Sequence, residues 1–528
     1  MNFSWILDSV VARVPAAGPG RIAFSFDGRD RITYGELHDK TLRYARALRE
    51  LGLRKGDRLG LLLFNDAEYP PLFLAAARLG VITVRLNFRL APAELAFVLA
   101  DSGTSVVVVH SSLTGRLDPV RDQAGVGTYV VLPDSGDPVP DWARPFEVFR
   151  EAEPLTPDEL PEVTGDDPMS LLYTSGTTGS PKGAVWTHGN TVAIATAQAL
   201  RWQFGEETVS LVPGPLYHAG GFEAFVAPAL LMHGTAVFLP SGNFTVDRLL
   251  AVLRAERVTD CLLFPFMLNE LLHRDDLERV LPPSLRRFIL GGDMVMPSVA
   301  EEVKRRLPEV KLTQVYGLTE GGAIATTLED RDFLAQPKSI GRPLPLAQAR
   351  VVTPEGREAA AGEVGEIEVR SPAVSQGYWN RPDATRATFH DGWCRTGDLG
   401  YVNADGFLHL SGRAKDMIRS GGENIYPAEV EKVLAAHPQV LETAVVAVPD
   451  SRYGEVGCAI VVPEAGQLPE PDALRAFCRE RLAGYKVPKY FLISDELPRN
   501  ASGKILKYRL REAFAHIESE LDGEKTPT

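Results

Sequence analysis

Short apolar runs separated by helical patterns recur from the start of this chain to well past its middle, and that alternation restricts the fold more than any other feature. Thr33 and Glu36 stand at capping-box spacing before ELHDKTLRYARALREL, and Gly52 follows where a C′ glycine belongs. RLGLLLFN, a helix through FLAAARLG, VITVRLN, a helix after Pro92 and SVVVVH come next. The pattern resumes after residue 190 with helix VAIATAQAL, strand TVSLVP, a helical stretch over 222–232 and strand TAVFLP. Helix VDRLLAVLRAE, strands DCLLF and RRFILGGD, helix SVAEEVKRRL and strand LTQVYG continue it. Short β runs joined by helices predict βαβ units and a largely parallel sheet, hence an α/β fold. Residues 111–168, rich in Pro and Asp, read as surface connection.

From about residue 340 the pattern turns β-rich with glycine turns (ARVVTPEG, GEIEVRS, GFLHLSG). After GRAKDMI a smaller α+β unit begins with PAEVEKVLAAHP, LETAVVAVP, GCAIVVP and DALRAFCRERL. At 528 residues the chain exceeds what one hydrophobic core serves. Nothing repeats at a fixed period, so a solenoid is not expected.

The 56 basic and 69 acidic residues leave a net charge of −13, which argues against a nucleic-acid surface. The start, MNFSWILDSVVARVP, has no basic leader region, and Asp8 interrupts its apolar run. AFVAPALLMHGTAVFL, from Ala224, is broken by Pro228, His233 and Gly234 and falls short of the ~18 apolar residues of a spanning helix. Cys261, Cys394, Cys458 and Cys478 form no metal or disulfide spacing and read as reduced thiols of a cytoplasmic protein.

Residues 171–190, LLYTSGTTGSPKGAVWTHGN, hold a loop almost free of large side chains, with Lys182 its one charge between Thr174 and Gly183. Loops of this kind let backbone and hydroxyl donors approach an anion. It is not a Walker A loop, because Gly179 is followed by Ser180, Pro181 and Lys182, and Gly183 comes after the lysine.

YTSGTTGSPKG resembles the signature loop of the adenylate-forming superfamily: acyl-CoA synthetases, adenylation domains and luciferases. Five further blocks match in the family's order: YGLTE (316–320), WCRTGDLG (393–400), GRAKDMI (412–418), GGENIYPAEVE (421–431) and PRNASGKILK (498–507). The resemblance implies an amino-terminal AMP-binding domain over 1–412, of layered βαβ subdomains plus a β-rich one. A hinge over 413–417 and a small mobile α+β domain over 418–528 complete the implied architecture.

Its implied chemistry is ATP-dependent activation of a carboxylic acid to acyl-AMP, then transfer to the thiol of CoA. Thr174, Ser175, Gly176, Thr177, Thr178, Gly179 and Lys182 would cradle the β- and γ-phosphates. Similarity assigns Tyr316 and Gly317 to the adenine, Thr319 to the α-phosphate and Glu320 to Mg²⁺, for which a hard carboxylate oxygen is suited. Gly291, Gly292 and Asp293 would line adenine and one wall of the acyl pocket. Asp398 would accept from the ribose hydroxyls, with Arg413 as their second contact. Lys504 matches the catalytic lysine, whose cation would bridge the carboxylate and the α-phosphate.

Lys415 falls at the family's hinge position, and Gly421 and Gly422 would let the pantetheine arm approach. His218, in PLYHAGG, matches a position near the acyl pocket and thiol entrance, whereas a lone histidine in an apolar stretch is ordinarily core. Phe222, Phe264 and Met294 are pocket or core residues on the same footing. Gly321 and Gly322 read as leaving room for an acyl tail, favouring a fatty or other extended acid over a very small one. An aryl acid is a further option. Glu223 is out of place for an amine-binding carboxylate, which disfavours an amino-acid substrate.

The nearest alternative loads the acyl group onto the phosphopantetheine of an acyl carrier protein. A non-catalytic nucleotide-binding regulator would be expected to lack Lys504, Glu320 or Asp398, and all three are present. A homodimer is left open.

Overall fold

A computed structural model of the chain describes residues 2–13, 20–174, 181–242, 244–292, 294–337, 339–413, 418–425, 427–498, 505 and 507–517. The chain divides into two units. One comprises residues 1–88, 99–173 and 183–412, and the other comprises 89–98, 174–182 and 413–528.

The first unit contains the two large sheets. In the seven-stranded sheet, Arg58–Leu62 lies between Ile82–Arg85 and Val106–His110, all parallel, with Thr128–Leu132 beyond and Pro168–Thr174 on the other side. Ile82–Arg85 and Val106–His110 are buried throughout, as strands covered on both faces by helices must be. The fourteen-stranded sheet has a parallel half in the order Thr235–Phe238, Val209–Val212, Asp260–Leu263, Arg287–Leu290 and Lys311–Tyr316. Beyond Lys311–Tyr316 it turns antiparallel through Thr326–Leu328 and Ser339–Pro343. The β-rich stretch expected after residue 340 continues this sheet, with Gln348–Val352, Gly365–Arg370 and Trp393–Val402 paired antiparallel.

Local chemistry explains the helix boundaries. Thr33 caps Tyr34–Glu50 through a complete capping box: its hydroxyl accepts from Glu36 N–H at 3.2 Å, and Glu36 Oε2 accepts from Thr33 N–H at 2.8 Å. Gly52 follows at φ +96°, a left-handed conformation that glycine adopts without strain. The expected helix over 222–232 forms in two pieces, a π-helix Phe222–Val226 and an α-helix Ala227–Leu231.

The stretch 111–168 departs from its expected role as surface connection. Thr128–Leu132 is a strand of the sheet, buried over Tyr129–Leu132. Phe146 and Phe149 are fully buried and meet Tyr44 edge to face at 5.8 and 5.3 Å. Pro133, Asp134, Asp137 and Pro138 do lie in an exposed turn, over residues 133–139. The YVVL run beside them has the β-branched character that forms a buried strand.

The second unit has a five-stranded sheet in which Val440–Asp450 and Gly454–Pro463 pair antiparallel and Tyr490–Ile493 lies parallel to the latter. Val430, Leu434, Leu474 and Cys478 pack from helices Pro427–Leu434 and Pro471–Arg479 into its core. All four cysteines are buried and free, and burial pushes the thiols of Cys458 and Cys478 up to about 12, so they are unreactive. No helix among the described residues is long and apolar enough to cross a membrane.

Helix His188–Trp202 is capped by Thr187, which exchanges hydrogen bonds with Asn190. His188 is buried, and its Nδ1 accepts from Phe3 N–H at 3.2 Å. Burial lowers the imidazole pKa to about 4. Below its ordinary pKa the unfolded chain binds this proton and the folded chain does not, so stability falls as pH drops from about 6.5 to about 4. The total loss is on the order of 3 kcal/mol. Urea denaturation of the wild type is expected to lose stability in this window more steeply than His188→Asn, whose amide oxygen replaces the Nδ1 acceptor. Parallel pH profiles for the two proteins would refute the assignment.

Candidate active site

Four of the segments singled out in the sequence leave neighbouring strands at the same edge. Gly214 to His218 follow Val209–Val212, Phe264 follows Asp260–Leu263, Gly291 and Gly292 follow Arg287–Leu290, and Gly317 follows Lys311–Tyr316. These strands are parallel, so all four segments emerge at their carboxyl ends, the edge where open α/β sheets bind ligands. Phe264 is half-buried between two of them. A Cβ on Gly292 would lie 2.9 Å from its ring and a Cβ on Gly214 3.4 Å from it. Gly292 also has φ +84°.

The exit from Lys311–Tyr316 is tight. Ala325 N–H donates to Tyr316 O at 2.8 Å, and Ala323 and Gly321 N–H both donate to Leu318 O, at 3.0 and 3.1 Å. A Cβ on Gly317 would sit 2.1 Å from Ala323 O, so only glycine fits there. A Cβ on Gly321 would meet Leu318 Cδ2 at 2.5 Å, and one on Gly322 would meet Ala373 at 2.9 Å. The space beside these two glycines is therefore filled by the chain itself, which removes the expectation that they make room for an acyl tail.

Tyr316 is buried, and its hydroxyl donates to Asp398 Oδ2 at 2.7 Å, bridging the parallel and antiparallel halves of the sheet. Asp398 is 4% exposed on Trp393–Val402. The pairing of that strand with Gly365–Arg370 shifts register between Glu366 and Glu368. There Gly397 (φ +71°) donates to Glu366 Oε1 at 3.0 Å, and Asp398 N–H donates to Thr396 Oγ1 at 3.1 Å. A bulge of this kind re-aims the side chain that follows it.

Thr319 and Glu320 are half-buried. Thr319 O accepts from Trp186 Nε1 at 3.0 Å, and Glu320 O accepts from Ser375 N–H at 3.0 Å. Glu320 Oε1 accepts from the Tyr378 hydroxyl at 2.9 Å. Burial and then the Glu320 charge hold the Tyr378 phenol protonated as a donor. Residues 376–379 run beside Lys182–Thr187, with Gln376 and Val185 and then Trp379 and Gly183 joined through backbone hydrogen bonds at 2.8–3.0 Å. Trp186 and Tyr378, which hold the YGLTE segment, were not singled out in the sequence. The GYW triplet that carries Tyr378 has no periodic or charged signal.

His218 is exposed on a turn in which Gly221 N–H donates to its carbonyl at 2.9 Å, so it is not a core histidine. Phe222, by contrast, is fully buried between Phe73 and Phe3, with ring centroids at 4.3 and 6.0 Å. It fills core. Met294 is half-buried. The Cys394 thiol is buried and pushed well up by burial and by Glu320, Glu366 and Glu368, so it is held protonated.

Thr174 ends Pro168–Thr174 and Lys182 begins Lys182–Thr187; Arg413 closes Leu408–Arg413. Gly421 (φ +56°) and Gly422 (φ +83°) form the two-residue turn between Ile418–Ser420 and Glu423–Ile425, where positive φ at both positions favours glycine. Ser175, Gly176, Thr177, Thr178, Gly179, Asp293, Lys415 and Lys504 lie outside the described residues.

No group of three or more His, Cys, Asp or Glu among the described residues converges to hold a metal by itself. One oriented carboxylate, Glu320, fits a Mg²⁺ that takes its remaining ligands from phosphate and water.

Gly317→Ala is expected to cost about 1–3 kcal/mol of stability, because the opposing atoms are backbone and do not yield like a side chain. It is also expected to weaken AMP binding in calorimetry. Unchanged melting temperature and unchanged AMP affinity would show that the turn accepts a Cβ.

Residues 11–379 match the AMP-binding enzyme family, and residues 429–504 match the AMP-binding enzyme C-terminal domain. The long-chain-fatty-acid–CoA ligase FadD13 of Mycobacterium tuberculosis is 36% identical over 487 residues, covering 92% of this chain and 93% of that protein. A feruloyl-CoA synthase of an Amycolatopsis species is 37% identical over 490 residues, covering 92% of this chain and 95% of its own. The structure of a double mutant of o-succinylbenzoate CoA synthetase (MenE) from Bacillus subtilis aligns with a TM-score of 0.84 at 33% identity, over 96% of this chain and 98% of that one. The motif order, the strand-end site and this near full-length similarity agree, and the chain belongs to the AMP-binding enzyme family of adenylate-forming ligases.

Proposed function

We propose that this protein is an AMP-forming acid–CoA ligase acting on a fatty or other extended carboxylic acid. The observation that carries the reading is the common strand edge, at which the His218 turn, the Gly291–Gly292 segment and the Tyr316–Glu320 segment emerge side by side. The two half-reactions need acid, nucleotide and thiol at one centre, and the emergence of these three segments at one edge supports that reading. The long-chain fatty acid and ferulate named for two relatives support an acid larger than acetate.

In the first half-reaction a carboxylate oxygen attacks the α-phosphorus, the bond to the β-phosphate breaks, and pyrophosphate leaves. Donors from Thr174 to Lys182 hold the departing phosphates. Thr319 contacts the α-phosphate, and Glu320, kept in place by Tyr378, would hold Mg²⁺. A Mg²⁺ bound there would neutralise phosphate charge that repels the incoming carboxylate. Tyr316 flanks the adenine, and Asp398, with Arg413, accepts and orients the ribose hydroxyls. The Lys504 cation bridges acid and α-phosphate.

In the second half-reaction the CoA sulfur attacks the acyl carbon, the bond to AMP breaks, and the thiol proton is lost to solvent or to a nearby base, for which His218, assigned beside the thiol entrance, is the candidate. Lys504 and the Gly421–Gly422 turn serve different half-reactions. The domain over 418–528 therefore reorients about Lys415 between them, as hinge residues allow. The buried free thiols among the described residues suit a cytoplasmic enzyme.

Lys504→Ala is expected to abolish acid-dependent pyrophosphate release while leaving thioester formation from supplied acyl-AMP largely intact; equal loss of both would sink the two-orientation scheme. Wild-type pyrophosphate release across fatty, aryl and short acids, with CoA and holo-carrier protein as alternative acceptors, tests the substrate reading. Release with short acids alone, or acyl transfer to the carrier protein alone, would overturn it.

A further inference from the structure

The turn that presents His218 is held by buried polar groups from the other sheet of the first unit. Asn65, 4% exposed just after strand Arg58–Leu62, uses both sides of its amide. Its Nδ2 donates to Gly214 O and Leu239 O, each at 2.9 Å, and its Oδ1 accepts from Leu216 N–H at 2.8 Å. Its backbone N–H donates to Ser241 Oγ at 2.8 Å. Arg85, at the end of Ile82–Arg85, donates through Nη1 to Leu216 O at 3.2 Å and through Nη2 to Glu223 Oε1 at 2.7 Å. Both side chains of that ion pair are fully buried.

Leu216 is thus gripped at its N–H by Asn65 and at its C=O by Arg85, two residues before His218. Glu223, at the start of the π-helix, anchors the chain on the far side of the turn. Tight packing between these anchors reinforces them, since a Cβ on Gly221 would lie 2.5 Å from Pro215 O. A buried ion pair is poor evidence of stability, because apolar residues of the same volume serve as well or better. Its hydrogen-bond directions, however, fix where a backbone lies.

We propose that Asn65 and the Arg85–Glu223 pair are positioning residues that aim His218 at the acyl–thiol centre, an inference that rests on the assignment of His218 above. They touch no substrate and act through the backbone of Leu216. The same groups restrict the backbone that carries this exposed side chain, through Leu216 on one side and Glu223 on the other.

A double-mutant cycle on the full-length protein tests this, with thioester formation from supplied acyl-AMP and pyrophosphate release measured separately for wild type, His218→Ala, Asn65→Ala and the double variant. Asn65→Ala is expected to slow acyl transfer roughly tenfold to a hundredfold, as misplacing a reacting group does, with pyrophosphate release little changed. In the His218→Ala background the second substitution is expected to add no further loss. Losses that multiply, unchanged acyl transfer in Asn65→Ala, or an inconsequential His218→Ala would each overturn the inference while leaving the ligase reading intact. A wild type that forms no thioester overturns both. If Asn65→Ala does not fold, Arg85→Lys takes its place in the cycle. A lysine replaces the planar guanidinium fork with a compact point charge that does not reproduce the separate Nη1 and Nη2 directions to Leu216 O and Glu223, so the same non-additivity is expected.

Discussion

The site depends on how closely the chain folds back on itself after Tyr316. Gly317 passes so near Ala323 O that no other residue fits, and Ala325 returns to hydrogen bond with Tyr316 O. That closure places Thr319 and Glu320 within reach of Trp186 and Tyr378, and it leaves the Tyr316 ring standing against Asp398. A looser turn would free three assigned residues at once. Because the contacts that fix the turn are backbone atoms, the geometry does not hinge on the rotamers of a few exposed side chains.

A second constraint comes from the sheet edge. Parallel strands all end on the same side, so whatever follows them is gathered without further design. The bulge between Glu366 and Glu368 adds Asp398 from the antiparallel half, and the Tyr316 hydroxyl joins it to the parallel half. Burial then settles chemical character. Cys394 lies among acidic neighbours with its thiol kept protonated, and the Tyr378 phenol is kept as a hydrogen-bond donor to Glu320. In both cases removal from water, more than any single charge, sets the protonation state.

The polar groups in the interior divide by what they hold. Thr33 and Thr187 satisfy the first turns of helices, a local task written in three or four consecutive residues. Asn65 and Arg85 hold a turn about 130–150 residues away in sequence, and nothing around them marks that partner. Phe264 shows the same separation: its own segment reads as apolar, yet its ring sits against Gly214 and Gly292 from two different strand ends.

Much of the fold was legible in the sequence because its cues are local. Helix caps, the period of apolar residues and the order of glycine-bearing blocks depend on residues close together in the chain. The misreadings came where neighbours in space decide. Tyr129–Leu132 became a buried strand inside a stretch whose average composition is polar. Gly321 and Gly322 proved to be filled around by Leu318, Val369 and Ala373 rather than open to a tail. The sequence by itself determined the α/β alternation, the block order and the residue types available for phosphate, metal and ribose. Only the tertiary structure decided which of them are gathered at one strand edge, that His218 is exposed while Phe222 is core, and that Trp186, Tyr378, Asn65 and Arg85 support the site. The physical reason is distance along the chain: hydrogen bonds and packing between residues far apart leave no periodic trace, and their partners become defined only when the sheets assemble.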